Sequence, residues 1–224
     1  MADIENETSS TKVNGFIEKN KKLLIFVLCA IIVCLIAFII YTNVAASSKQ
    51  KALSAIDEIS YTLTNESASL EKSELDARRY DAKELLQAYV NKGGIVGTRA
   101  NFLCAEIAYQ EGKYEDAINY YKATAEKGKK TYIAPVANYN LASCYEKTGD
   151  LVQAAVNYKL AAENKDFALA PHAKFSYARV VEAQKNFVEA KTAYTELYET
   201  YPNDNWGKLA KTRLIALGDE GKAE

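Results

Sequence analysis

The chain has 224 residues, 49% of them hydrophobic and 25% charged, with a formal net charge of −1. That is ordinary globular composition, and the absence of a basic excess argues against nucleic acid as a partner. Three prolines and ten glycines in the whole chain, with few β-branched runs after residue 45, favour an all-α protein.

Met1–Thr11 is polar and acidic, with Asp3, Glu5 and Glu7, and reads as part of a disordered tail over 1–22. Lys12, Lys19, Lys21 and Lys22 then build a positive flank. Leu23–Tyr41 follows, nineteen residues without a charge, fourteen of them Leu, Ile, Val or Phe. At ~1.5 Å per residue this run reaches roughly 28 Å, about the thickness of a bilayer's hydrocarbon core. Its insertion is favoured by roughly 4–8 kcal/mol. The expectation is one transmembrane helix over 23–41. A cleaved signal peptide, with Val44-Ala45-Ala46 as a weak cleavage site, is the competing reading. Against it stand the length of the apolar run and the long acidic lead. Neither Cys29 nor Cys34 has the preceding small residue of a lipoprotein signal. Four lysines precede the run and two, Lys49 and Lys51, follow it. This bias puts the N-terminus in the cytoplasm and the remainder of the chain outside.

From Phe16 to Lys92 there is no proline and no glycine. Leu53, Ile56, Ile59 and Leu63 mark one helical face, Thr64–Ser67 a polar interruption, and Leu75, Ala82, Leu85, Leu86 and Tyr89 a second face. Asn91-Lys92-Gly93-Gly94 is a stop. Residues 47–97 are therefore expected to form a degenerate helical hairpin, and the apolar helix to continue into Ser47–Leu63 as one rod.

Beyond residue 98 the chain repeats. Gly112-Lys113-Tyr114 leads to Ala117 and Tyr121, Gly149-Asp150-Leu151 to Ala154 and Tyr158, and Lys185-Asn186-Phe187 to Ala190 and Tyr194. From Gly112 to Gly149 is 37 residues, and from there to Lys185 is 36. Seven residues before each turn stands a small residue: Ala105, Ala142 and Ala178. Two antiparallel helices approach closely only where side chains are small, so the alanines mark the crossings and the aromatics fill the space between hairpins. Glycine suits the left-handed conformation that ends a helix. Lys185 departs from that pattern, though the neighbouring Asn186 can also take that conformation. First helices are expected near Thr98, Pro135 and Pro171, with proline in the first turn. Trp206–Leu217, closed by Gly218, reads as a capping helix, and 218–224 as a mobile tail.

These residues, with Pro202 closing the third unit, resemble the tetratricopeptide repeat family over 98–217. That family's period is about 34 residues; here the excess falls in the loops around Glu126–Lys130 and Glu163–Asp166. Asn101, Asn138 and Lys174 stand where the family carries a large aromatic. The resemblance implies an α-solenoid of three repeats plus a cap, whose first helices line a concave groove. Taken whole, the chain looks like the bacterial inner-membrane proteins that carry a periplasmic repeat domain of this family, such as the YfgM-type accessory subunits of the Sec translocon. This implies a role beside the secretion machinery, contacting exported proteins and periplasmic chaperones. Two other readings stand beside it: a scaffold for outer-membrane or cell-division assembly, and a small-ligand partner of a transporter.

The fifth residue of each first helix is aromatic: Phe102, Tyr139 and Phe175. On the same face lie Arg99, Glu106, Tyr109 and Gln110, then Ser143 and Glu146, then His172, Arg179 and Glu182. An aromatic row with flanking charges suits capture of an extended peptide or a partner helix. Among the tyrosines, Tyr120, Tyr121, Tyr158 and Tyr194 fall at core positions, while Tyr80, Tyr132, Tyr198 and Tyr201 are expected at the surface. Cys104 and Cys144 are expected to be small buried residues. With no Cys-x-x-Cys, one histidine and no nucleophile, phosphate-loop or paired-carboxylate motif, no metal, cofactor or enzymatic activity is expected.

Overall fold

The computed structural model describes the backbone from Ala2 to Glu220 and side chains from Asn14 to Gly218. Among the described residues there is no strand. There are nine α-helices: α1 Ala2–Thr64, α2 Lys72–Val90, α3 Gly94–Gln110, α4 Tyr114–Lys127, α5 Ile133–Thr148, α6 Leu151–Ala162, α7 Ala170–Ala183, α8 Phe187–Thr200 and α9 Asn205–Glu220. The chain divides into two compact units, one ending at Lys51 and the other beginning at Ala52.

The first unit is helix throughout its described length. Its apolar side chains, from Leu23 through Tyr41, are exposed, and the segment is long and apolar enough to cross a membrane. Helix reaches back to Ala2, into the segment expected to lack regular structure. No proline interrupts residues 2–22. Extending an existing helix fixes one residue per added hydrogen bond, without a new and costly nucleus.

The second unit begins within α1. Ile56 and Ile59 pack with Ala82, Leu86 and Val90 of α2 and with Val96, Ala100, Cys104 and Ile107 of α3. Arg78 crosses between α2 and the end of α1, donating to the carbonyls of Thr62 at 3.2 Å and Asn65 at 2.9 Å. The helices then alternate along the chain, α3 with α4, α5 with α6 and α7 with α8, and α9 lies against α8 and α7. Ala105, Ala142, Ala178, Ala117, Ala154 and Ala190 are all fully buried in one continuous core.

The three turns share one hydrogen-bond pattern. The amides of Gly112, Gly149 and Lys185 donate to the carbonyls of Tyr109, Glu146 and Glu182, three residues back. The next amides, of Lys113, Asp150 and Asn186, donate to Ala108, Tyr145 and Val181, five residues back. This double closure needs a left-handed residue. Gly112 and Gly149 supply it at φ +75 and +83. In the third turn Lys185 itself takes φ +62, not Asn186. Asn186 is instead the N-cap of α8, its side chain accepting from the Glu189 amide. The left-handed position falls at the same place in all three turns, and so the strain falls on the lysine.

Helix boundaries shift where expected punctuation was absorbed. Gly93 serves as the extended N-cap of α3, so the helix starts at Gly94 rather than Thr98. Thr98 is fully buried inside it, its hydroxyl donating to the Gly94 carbonyl at 2.9 Å. Gly218 lies within α9, which runs on to Glu220; the rest of the expected tail lies outside the described residues. Gly207 permits the fold-back from α8, because a Cβ there would lie 1.9 Å from the Tyr201 carbonyl oxygen. Tyr121, Tyr158 and Tyr194 are buried, and Tyr120 is half-buried against the core. Tyr80 and Tyr132 are exposed, whereas Tyr198 and Tyr201 are half-buried against the core, because the chain leaving α8 folds back over it. Cys104 and Cys144 are buried free thiols, each pushed up to about 12 by burial.

A left-handed conformation costs an L-residue about 1–2 kcal/mol, while glycine loses about 0.5–1 kcal/mol in backbone entropy. Lys185 is exposed, so removing its side chain sacrifices no buried contact. Lys185→Gly is expected to stabilise the domain by about 0.5–1 kcal/mol, read as a higher urea midpoint with an unchanged m-value.

Candidate functional site

The inner face is built by α3, α5 and α7, with α9 in the place a fourth first helix would take. Each fifth-position aromatic packs edge-on or tilted against the aromatic nineteen residues later. Phe102 meets Tyr121 at 5.9 Å between ring centroids, Tyr139 meets Tyr158 at 5.3 Å and Phe175 meets Tyr194 at 5.5 Å. The expected aromatic row is therefore half inside the core: each ring packs against the second helix of its own hairpin.

The buried tyrosines send their hydroxyls back toward the inner face. Tyr158 donates to Glu146 at 2.7 Å and Tyr194 to Glu182 at 3.0 Å. Each of those carboxylates also takes an arginine from the next unit. Arg179 donates to Glu146 at 2.8 Å, and the Arg213 Nε lies 2.9 Å from both Glu182 oxygens. At the corresponding place in the first unit, a neutral contact joins the Tyr109 hydroxyl and the Ser143 hydroxyl at 3.1 Å. A ladder of polar links thus runs along the inner face, one rung per unit.

Three hollows follow this ladder. The largest, of about 510 Å³, is lined by Tyr109, Tyr139, Ser143, Glu146, Lys147 and Tyr158 on one side and by His172, Phe175, Ser176, Arg179 and Trp206 on the other. A second, of about 300 Å³, shares Tyr109, Tyr139 and Ser143 with it and adds Glu106, Gln110, Tyr121 and Asn140. A third, of about 350 Å³, shares Glu106 with the second and contains Arg99 and Phe102. Of the twelve residues singled out from sequence, seven line the largest hollow, three the third and Gln110 the middle one, while Glu182 lines none of the three. Glu106 and Tyr109 are the links through the middle one.

Trp206, Lys147, Ser176 and Tyr158 were not among the expected residues. Trp206 stacks on His172 with centroids 3.8 Å apart and rings 8° from parallel, and lies 5.4 Å from Phe175. The signal for it was available, because a capping helix that continues the alternation presents its first turn to the groove. The Tyr139 hydroxyl lies 3.1 Å from a ring nitrogen of His172. Burial, helped by nearby Arg179, holds the His172 pKa below its ordinary value. The hydrogen bond to Arg213 holds Glu182 below the usual carboxylate range against the opposing effect of burial, and Tyr194 adds to the lowering. Glu106 behaves oppositely, its pKa raised by burial. The arrangement is a row of aromatic edges, hydroxyls and partly satisfied charges.

The sequence model of a family described as a tetratricopeptide repeat-like domain matches residues 14–158. The match takes in the apolar run and ends at Tyr158, before α7 and α8, which share the turn geometry of the matched hairpins. A curated relative, the TPR repeat-containing protein of Treponema pallidum (strain Nichols), is 32% identical over 130 residues, covering 58% of this chain and 54% of the relative. The chain thus spans about half the length of that relative.

Glu182→Gln keeps the shape of the side chain but removes the charge that Arg213 and Tyr194 meet. The variant is expected to lose about 1–2 kcal/mol near neutral pH. The folded-state pKa of Glu182 is depressed, so its contribution is complete above the unfolded value of ~4.3 and fades as pH falls through the lower folded value. Urea melts of wild type and variant should differ at neutral pH, and the difference should shrink as pH falls below ~4.3.

Proposed function

Because this chain belongs to the tetratricopeptide repeat-like domain family, we propose that it is a membrane-tethered protein-interaction module whose inner face holds an extended segment of another protein. The observation that carries this is the run of three hollows joined by shared residues, Glu106 between two of them and Tyr109, Tyr139 and Ser143 between the others. A small molecule is usually received by one closed pocket with mainly apolar walls. A row of linked hollows along four helices, the largest of them mainly polar, suits an extended chain. Aromatic edges supply contact area, and hydroxyls and amides supply partners for a peptide backbone.

The apolar run Leu23–Tyr41 acts in this reading as an uncleaved anchor. The lysine bias across it places the N-terminus in the cytoplasm and the repeats outside. In a bacterial cell this sets the groove in the envelope, beside the export machinery, where it serves as an accessory, chaperone-like factor for proteins leaving the translocon. Anchoring has a physical consequence. A groove of modest affinity held near its partners works at a raised effective concentration, without further contacts.

A photo-crosslinking residue at Ser143 or Gln110 is expected to capture exported proteins or translocon subunits in native membranes, identified by mass spectrometry. The same residue at Val156 or Leu160, exposed on α6, should capture none of them. Equal capture from both faces removes the groove from the account. For topology, a C-terminal alkaline phosphatase fusion is expected to be active and a C-terminal fluorescent-protein fusion dark. The reverse pattern places the repeats in the cytosol.

A further inference from the structure

We infer that Glu106 is the subsite for a lysine or arginine side chain of the captured segment, an inference that rests on the groove reading above. Three carboxylates stand on the inner face of the first helices: Glu106, Glu146 and Glu182. Two of them receive an arginine from the next unit, Arg179 and Arg213 respectively. For Glu106 the residues one unit on are Tyr139 and Asn140, and Asn140 gives its amide to the Tyr121 hydroxyl at 3.3 Å. Among the described residues Glu106 has neither a hydrogen bond nor an ion pair. Of the cations that share a hollow with it, Arg99 pairs with Asp57, and Arg79 pairs with Asp76 and Gln110 through its terminal nitrogens while its buried Nε has no partner.

The surroundings are those of a cation site. Glu106 lines the middle hollow and the third, and also a smaller one of about 190 Å³ toward α2. Tyr109, Tyr121 and Tyr139 line the space on one side of it, and Phe102 and Tyr132 on the other. Aromatic walls around an anion suit a long basic side chain, whose methylenes lie along the rings while its charged head meets the carboxylate. A half-buried carboxylate without a counter-ion is an unfavourable arrangement that a bound cation relieves. The other two carboxylates, already paired, offer no such gain. This difference sets the register: the basic residue of the partner is drawn to the end of the groove nearest α2, and the chain beyond it runs past Ser143 toward Trp206.

The test uses the full chain in detergent micelles and pools of short peptides, acetylated and amidated so that no terminal charge competes. The central residue is fixed as Lys, Arg, Gln or Glu, and the other positions are random. Lys and Arg pools are expected to be retained roughly five- to tenfold more strongly than Gln, with Glu weakest. Glu106→Gln should level Lys with Gln, and Glu106→Lys should turn the preference toward Glu. The isosteric Glu106→Gln is expected to melt no lower than wild type, since it removes a charge penalised by burial, and the wild-type ranking needs no variant at all. Pools that bind without a basic preference, or a preference that survives Glu106→Gln, overturn the assignment and leave the groove reading standing. If no pool binds, the groove reading itself fails and takes this inference with it.

Discussion

The close approach of helices at buried alanines is what the rest of the second unit depends on. Ala105, Ala142 and Ala178 on the first helices, and Ala117, Ala154 and Ala190 on the second, expose no surface. Such small side chains let paired backbones come near enough for the flanking rings to meet. Each ring pair then contributes about 0.5–1.5 kcal/mol beyond its buried area. The consequence reaches the inner face through Tyr158 and Tyr194. Their rings are in the core, but their hydroxyls hold Glu146 and Glu182. Those carboxylates in turn hold an arginine one unit on. A packing constraint inside the hairpin is thus converted, in two steps, into the polar lining of the groove.

The rungs of that ladder contribute shape more than stability. The Arg179 side chain is 48% exposed and its partner Glu146 21% exposed. Ion pairs at such positions are typically worth less than about 1 kcal/mol. Fixing long side chains in the unbound protein nevertheless lowers the ordering cost when a partner arrives. The first unit breaks the pattern. Its rung is a pair of hydroxyls, and its carboxylate, Glu106, stands one turn earlier without a cation. The inner face therefore has a neutralised half and an unneutralised end.

The repeat itself was legible in the sequence, because its period, its alanines and its tyrosines all report one physical fact, the crossing of two helices. The tetratricopeptide-like solenoid and the long apolar first helix follow from that periodicity and from composition, and the family match agrees with both. What escaped was whatever depends on competition between local signals. At the third turn two residues can take a left-handed conformation, and the hydrogen-bond register shared with the other two turns puts it on Lys185. Gly93 and Gly94 read as a stop, yet an extended glycine is also a serviceable N-cap, so the same residues start α3. Of the residues lining the largest hollow, Trp206, Lys147, Ser176 and Tyr158 were not singled out. Trp206 is placed by α9 continuing the alternation of helices and folding back across Gly207, which a search for copies of the repeat passes over.

The boundary between the two units shows the same limit from another side. It falls between Lys51 and Ala52, inside α1, with no change of secondary structure, no proline and no glycine to announce it. What changes is what the helix surface faces. Up to Tyr41 the run is apolar on every side, which a lipid environment satisfies and water does not. From Ala52 onward only one stripe is apolar, carried by Leu53, Ile56, Ile59 and Leu63, and it is buried or half-buried against α2 and α3. A stripe of that width is what a helix needs to pack on one neighbour. The switch from all-round to one-sided apolarity therefore marks where the chain stops being something a membrane could hold and becomes the first wall of the repeat core.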